Sequence, residues 1–267
     1  MPARESEAIV LRSYPFREAD LVVAFFTRDR GKLRGIARGV RRPKSRFGAS
    51  LERLSRVRIA YFEKQTVELV RVDRAELTHP PLLMRAGYEI SLALDYVAEV
   101  ADGLLPDHEP NDAYYRLLAL VLDEFWNLAR SGSSEGAASR ILAYFSLWSL
   151  RLSGWLPPLD ACLETGVEIP PGAPAWFDRR YDGLLSAEAR TADSWLLAPA
   201  ARGTAMAMLG KALPDISANG WGPSTVADLR RFLNHRLEAH LEKRLRSLAP
   251  LEAVFGDATS RDFPGSC

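Results

Sequence analysis

Nine cationic side chains lie between residues 28 and 46: Arg28, Arg30, Lys32, Arg34, Arg38, Arg41, Arg42, Lys44 and Arg46, with Asp29 alone to oppose them. The chemistry open to such a run is electrostatic rather than covalent. Phosphates recur at intervals along a nucleic-acid strand, so flexible cations strung along a ribbon match a backbone better than a compact cluster would. Arginine adds a planar cation that stacks on exposed bases, which lysine cannot do. Tyr14 and Phe47 stand close enough in sequence to add aromatic stacking. A charge run is more often a solvated loop. This one sits in a segment already rich in positive charge: residues 1–81 hold 18 Lys/Arg against 10 Asp/Glu, and the remainder holds 17 against 24. A basic module joined to an acidic body favours a polyanion as its partner.

Covalent chemistry finds little footing. There is no phosphate-cradling Walker loop and no His-Glu-x-x-His pair. Glu18, Asp20 and Asp29 could be imagined as a nuclease site, but neighbouring arginines account for them better. Cys162 has no recognisable histidine partner, and with Cys267 it makes up all the cysteine in the chain, too little for a disulfide framework. No apolar run reaches the roughly eighteen residues of a membrane span, and Met1-Pro2-Ala3-Arg4-Glu5 has no apolar signal region. A reduced, cytoplasmic, non-enzymatic protein is the expectation.

The elements that must position the cations are short and β-like. Ala8 to Leu11 opens the pattern and a turn is expected around Tyr14-Pro15; Leu21 to Thr27 is β-branched and aromatic. Asp29-Arg30-Gly31-Lys32 reads as a hairpin turn, and Leu33 to Val40 returns as its partner strand, with Gly35 and Gly39 as bends or bulges. Arg56 to Phe62 and Val67 to Val72 alternate, joined by a turn at Glu63-Lys64-Gln65-Thr66. Five short strands point to a small barrel of the oligonucleotide-binding type, although an SH3-like barrel would look similar. After Pro80-Pro81 the texture becomes helical: Leu82 to Leu105, Asn111 to Ala129, and a third helix carrying Ile141, Tyr144, Phe145, Trp148 and Leu152, whose aromatic rings read as core. Gly154 to Ala189 is rich in Pro and Gly. Helices resume near Ala198–Ala212 and Ser224–Leu248, the last with Val226, Leu229, Leu233, Leu237, Leu241, Leu245 and Leu248 along one side, and a frayed tail is expected from Pro250. Off the stripe, Arg230, Arg231, Arg236, Lys243, Arg244 and Arg246 could form a second basic surface for DNA or an acidic peptide. A solvated face balanced by Glu238 and Glu242 explains them equally well.

The runs Ala8-Ile9-Val10-Leu11-Arg12-Ser13-Tyr14, Glu18-Ala19-Asp20-Leu21, Thr27-Arg28-Asp29-Arg30-Gly31-Lys32 and Ala37-Arg38-Gly39-Val40-Arg41-Arg42, with His240 to Leu248 in the closing helix, resemble the RecO family of bacterial DNA repair and recombination mediators. The resemblance covers nearly the whole chain. It implies an oligonucleotide-binding (OB) fold followed by a helical remainder. It also implies binding to single- and double-stranded DNA, annealing of complementary strands, contact with the C-terminal tail of single-stranded DNA-binding protein (SSB), and action with RecR to place RecA on covered strands. Many members of that family carry two Cys-x-x-Cys pairs for zinc in the insert. Here the corresponding stretches read Cys162-Leu163-Glu164-Thr165 and Ser186-Ala187-Glu188-Ala189, and Thr, Ser and Ala are no substitute for thiolates. No metal and no cofactor are expected, with Trp155, Leu156, Trp176 and Phe177 packing the insert instead.

The expected architecture is α+β. An OB-like DNA-binding barrel spans residues 1–80 and a mainly helical domain spans 81–249, including a degenerate zinc-finger-like insert at 154–190; a flexible tail covers 250–267. The expected function is DNA repair and recombination mediation without catalysis. An RNA-binding barrel, or a protein-interaction scaffold with an incidental basic loop, would share parts of this pattern.

Overall fold

In a computed structural model of the chain, residues 3–63, 69–132, 136–216 and 222–255 are described. Strands β1 (Ala3–Phe16), β2 (Asp20–Thr27), β3 (Gly31–Ala37), β4 (Arg56–Phe62) and β5 (Val70–Leu77) close a barrel in the order β1-β2-β3-β5-β4. β3 and β5 pair in parallel and the other neighbours are antiparallel. Alternation along each strand sends Val10, Val23, Phe25, Leu33, Val57, Ile59, Tyr61, Val70 and Val72 into one interior. Phe47, just before a 3-10 turn at Gly48–Leu51, and Leu51 at the end of that turn join the same core.

Three strands differ from expectation: β3 ends at Ala37 rather than Val40, with Gly39 at φ +70° in the turn that follows. β1 runs through Tyr14-Pro15 instead of turning there. Its pairing with β4 ends at Ile9, so Pro15 lies where β1 has only β2 beside it, opposite Leu21, and a missing N–H is tolerated on such an edge. The turn falls instead at Arg17, whose φ is +55°. β5 begins at Val70, and the expected strand start at Val67 lies outside the described residues. Gly35 is neither bend nor bulge but sits in regular register opposite Val23, since a Cβ there would come within 2.8 Å of the Val70 and Val72 methyl groups.

Helices α1 (Tyr88–Leu104) and α2 (Asp112–Ser131) belong to the same compact unit as the barrel, which divides from the rest between Ser131 and Gly132. α1 packs on β1. Phe26, on the outer face of β2, is fully buried and meets Tyr114 and Tyr115 at ring distances of 6.3 and 6.1 Å. Sealing an aromatic ring in this way is worth about 2–3 kcal/mol, so the barrel's outer surface is partly a second core.

The second unit contains α3 (Ala137–Leu152), a two-stranded ribbon β6 (Ala175–Phe177) and β7 (Trp195–Leu197), then α4 (Pro199–Leu209), α5 (Pro223–Leu241) and α6 (Leu248–Phe255). The leucine stripe does not lie on one helix. Glu242 takes a left-handed φ of +52° and ends α5, while Leu245 and Leu248 stay buried beyond the break. Pro250 does not start a tail: it stands in the first turn of α6, where proline is tolerated, and Leu251 behind it is buried. Residues 256–267 lie outside the described residues.

The connection from α3 to α4 is organised by a buried cation. Arg202 on α4, 2% exposed, donates to the carbonyls of Leu159 (2.9 Å), Ile169 (3.0 Å), Ala173 (3.1 Å) and Pro170. Phe177, Leu184 and Leu185 are fully buried beside it, whereas Trp155, expected inside, is 45% exposed and stacks on His240 at 3.7 Å. Cys162 is buried against Thr165 and Ser186; burial pushes its thiol up, but hydrogen bonds from these two residues outweigh that and bring it down to about 7. Among the described residues, no group of three His, Cys, Asp or Glu side chains is placed to hold a metal ion.

Arg202→Ala orphans four carbonyls in the loop from Leu159 to Ala173, and urea unfolding is expected to report a loss of roughly 3 kcal/mol. A loss below a few tenths would show that the loop is held by packing alone.

Candidate nucleic-acid interface

The nine cations do not form one continuous track. On the β2–β3 hairpin they are met by carboxylates of their own chain. Arg28 donates to Asp112 Oδ1 at 2.6 Å and stands 3.8 Å from Glu7. That hydrogen bond raises the Arg28 guanidinium pKa and holds the Asp112 carboxyl below its ordinary range. Arg30 lies 3.6 Å from Glu63, and Arg34 3.6 Å from Asp107. Lys32 is 5% exposed and donates to the Asp102 carbonyl at 2.7 Å, with Asp107 at 3.3 Å and the Asp102 carboxylate at 3.7 Å. It is a buried strut between barrel and helix, not a surface cation.

The segment joining α1 to α2, which supplies Asp107, lies across the hairpin. The His108 amide donates to the Lys32 carbonyl at 2.9 Å. The Glu109 backbone passes so close to Gly31, at φ +75°, that a Cβ there would collide with it. An exposed pair such as Arg28–Asp112 adds little stability, but it cancels the charge a phosphate would otherwise meet.

Beyond β3 the situation reverses. Arg38, Arg41, Arg42 and Lys44 are exposed, and no described carboxylate lies within ion-pair distance of any of them. Arg46 is 3.6 Å from Asp73, with its guanidinium 5.2 Å over the Phe47 ring. The segment is fixed at several points. The Gly39 amide donates to Asp20 Oδ1 at 2.8 Å and the Arg41 amide to the Ala19 carbonyl at 3.1 Å, which pins it to the β1–β2 turn. Phe47, 3% exposed, anchors the far end in the barrel core and so cannot stack on a base. Tyr14 can: it is 40% exposed, with the Arg12 guanidinium 5.0 Å from its ring.

Where the pinned segment meets the turn there is a cleft of about 330 Å³ lined by Arg17, Asp20, Arg38, Gly39 and Arg42. Arg17 falls outside the run from residue 28 to 46; the β2–β3 pairing, which sets Ala37 opposite Leu21, brings the following segment beside its turn.

In the second unit the other basic residues are dispersed. Arg230 donates to the Phe255 carbonyl at 2.8 Å and Arg231 is 4.0 Å from Asp228. Lys243, Arg244 and Arg246 are exposed past the end of α5. From Arg230 to the end of that helix is about 16 Å at the helical rise, so the two groups are separate spots. Arg236 is 3% exposed and bound to Asp182 at 3.0 Å.

Residues 1–81 match the family "Recombination protein O N terminal" and residues 85–249 match "Recombination protein O C terminal". The chain belongs to the RecO family. It is 41% identical to the DNA repair protein RecO of Koribacter versatilis (strain Ellin345) over 94% of this chain and 99% of that one. It is 31% identical to those of Anaeromyxobacter sp. (strain K), over 92% and 94% of the two chains, and of Nocardioides sp. (strain ATCC BAA-499 / JS614), over 92% and 98%. Membership places the protein in DNA repair and recombination, on the OB-like barrel and helical body described above. No helix among the described residues is long and apolar enough to cross a membrane.

Replacing Lys32 with Met leaves Asp102 partly buried beside an apolar chain and is expected to cost about 2 kcal/mol of stability, read by thermal or urea unfolding. DNA affinity at full occupancy of the folded state should not change; a stable Lys32→Met variant with impaired DNA binding would return Lys32 to the contact surface.

Proposed function

We propose that the protein binds single- and double-stranded DNA through Arg38, Arg41, Arg42 and Lys44, anneals complementary strands, and assists RecA loading on SSB-covered DNA. The carrying observation is the set of four exposed, uncompensated cations on a segment fixed at both ends. Fixing the segment before binding lowers the ordering cost that a free loop would meet. Each phosphate contact releases condensed counterions, so four contacts on a single strand give a log–log salt slope of about −3. Tyr14 offers a sequence-tolerant platform for a base.

The mechanism is physical. Cations that neutralise two strands screen the repulsion opposing their approach, and tethering both to one protein raises their local concentration. No covalent step is needed and none is assigned to any residue. The RecO resemblance supplies the partners of this proposal: the SSB C-terminal tail, which brings the protein to covered DNA, and RecR, which acts with it; the site of action is the cytoplasm. Lys32 serves to hold the fold, and the charges of Arg28, Arg30, Arg34 and Arg46 are met by carboxylates of the chain itself.

Alanine at Arg38, Arg41 and Arg42 together should weaken DNA binding at least about tenfold irrespective of sequence and slow annealing of complementary oligonucleotides, with and without SSB. Unchanged binding would refute the assignment. Tighter binding to RNA of equal length would redirect it to RNA.

A further inference from the structure

We propose that the cleft between the β1–β2 turn and the residue 38–42 segment seats one internal phosphodiester of a bound strand, with Arg17 as its third cationic arm. This deepens the DNA-binding reading and rests on it. Three arginines line the cleft from two segments, Arg17 from the turn and Arg38 and Arg42 from beyond β3. None of the three has a described carboxylate within ion-pair distance.

Asp20 lines the same cleft, but its Oδ1 accepts the Gly39 amide at 2.8 Å. It therefore acts as a buttress that fixes the cleft wall, and three cations against one carboxylate leave the cavity positive. Arg17 is also held in advance: its backbone lies at φ +55° on the turn and its guanidinium stands 5.2 Å over the Phe16 ring. Guanidinium forks bind phosphate oxygens in pairs, which suits a seat with fixed walls.

The surroundings favour the interior of a strand over its end. Arg41 and Lys44 continue the exposed charge along the same segment, while Tyr14, on the strand that leads into the Arg17 turn, is exposed. A backbone crossing the cleft would thus have further cations and an exposed ring to meet beyond the seated group, as an internal phosphodiester requires.

The test uses the full chain labelled with 15N and four probes: the dithymidine dinucleotide with its single phosphodiester, the same dinucleotide as a methylphosphonate, thymidine 5′-monophosphate, and inorganic phosphate. The dinucleotide should shift the Nε–H resonances of Arg17, Arg38 and Arg42, and the uncharged analogue should not. Equal or larger shifts with the monophosphate or with inorganic phosphate would overturn the assignment to an internal phosphodiester.

On a short oligothymidylate, Arg17→Gln should weaken binding about fivefold, with the salt slope changing by less than about 0.7 because Arg38 and Arg42 still neutralise the seated phosphate. Arg17→Lys should restore most of the affinity. Arg74→Gln, which removes an exposed charge already paired with Glu5 and Glu76, should leave the affinity in place. Failure of Arg17→Gln to weaken binding, while the Arg38, Arg41 and Arg42 replacements still do, would remove the seat and leave the DNA reading standing. Absence of DNA binding by the unaltered protein would remove both.

Discussion

A guanidinium can meet a phosphate only if a carboxylate of its own chain has not met it first, and that competition governs the basic half of this molecule. The acidic stretch from Asp102 to Asp112 lies over the β2–β3 hairpin and engages Arg28, Lys32 and Arg34. Past Ala37, Arg38, Arg41, Arg42 and Lys44 face outward with no described carboxylate within ion-pair distance, before Arg46 meets Asp73. One run of like charge is thus divided into a part whose charge is met within the chain and a part left for a ligand.

The same division explains why the exposed part is ordered. A stretch of uncompensated cations repels itself and would drift as a loop. Here Asp20 and the Ala19 carbonyl hold its beginning and the buried Phe47 ring holds its end. Asp20, the carboxylate that lines the cleft, accepts a backbone amide, so order is gained while Arg17, Arg38 and Arg42 still outnumber it.

Much of this was legible in the sequence and some was not, for identifiable reasons. Alternation in Arg56 to Phe62 and the Gly31 turn follow from local patterns, and the barrel with its helical body is as the strand and helix spacings indicate. Which cations are free is not local information: Lys32 meets Asp102 across 70 residues and Arg28 meets Asp112 across 84. Arg17 stayed hidden because only strand pairing brings it beside Arg38 and Arg42. Glu242 at positive φ breaks the leucine stripe without a glycine or proline to announce it, and Arg202 gave no sign of its four carbonyls, which lie about 30 to 40 residues upstream. Periodicity carried the elements; long-range charge pairing carried the site.

The most direct measurement compares salt dependence of single-stranded DNA binding in two triple variants, Arg28→Gln/Arg30→Gln/Arg34→Gln and Arg38→Gln/Arg41→Gln/Arg42→Gln. The first should keep the parent slope of about −3 and the second should fall to about −1. An equal or greater flattening in the hairpin variant would mean that the paired arginines leave their carboxylates for DNA, contradicting the division of charge on which the account stands.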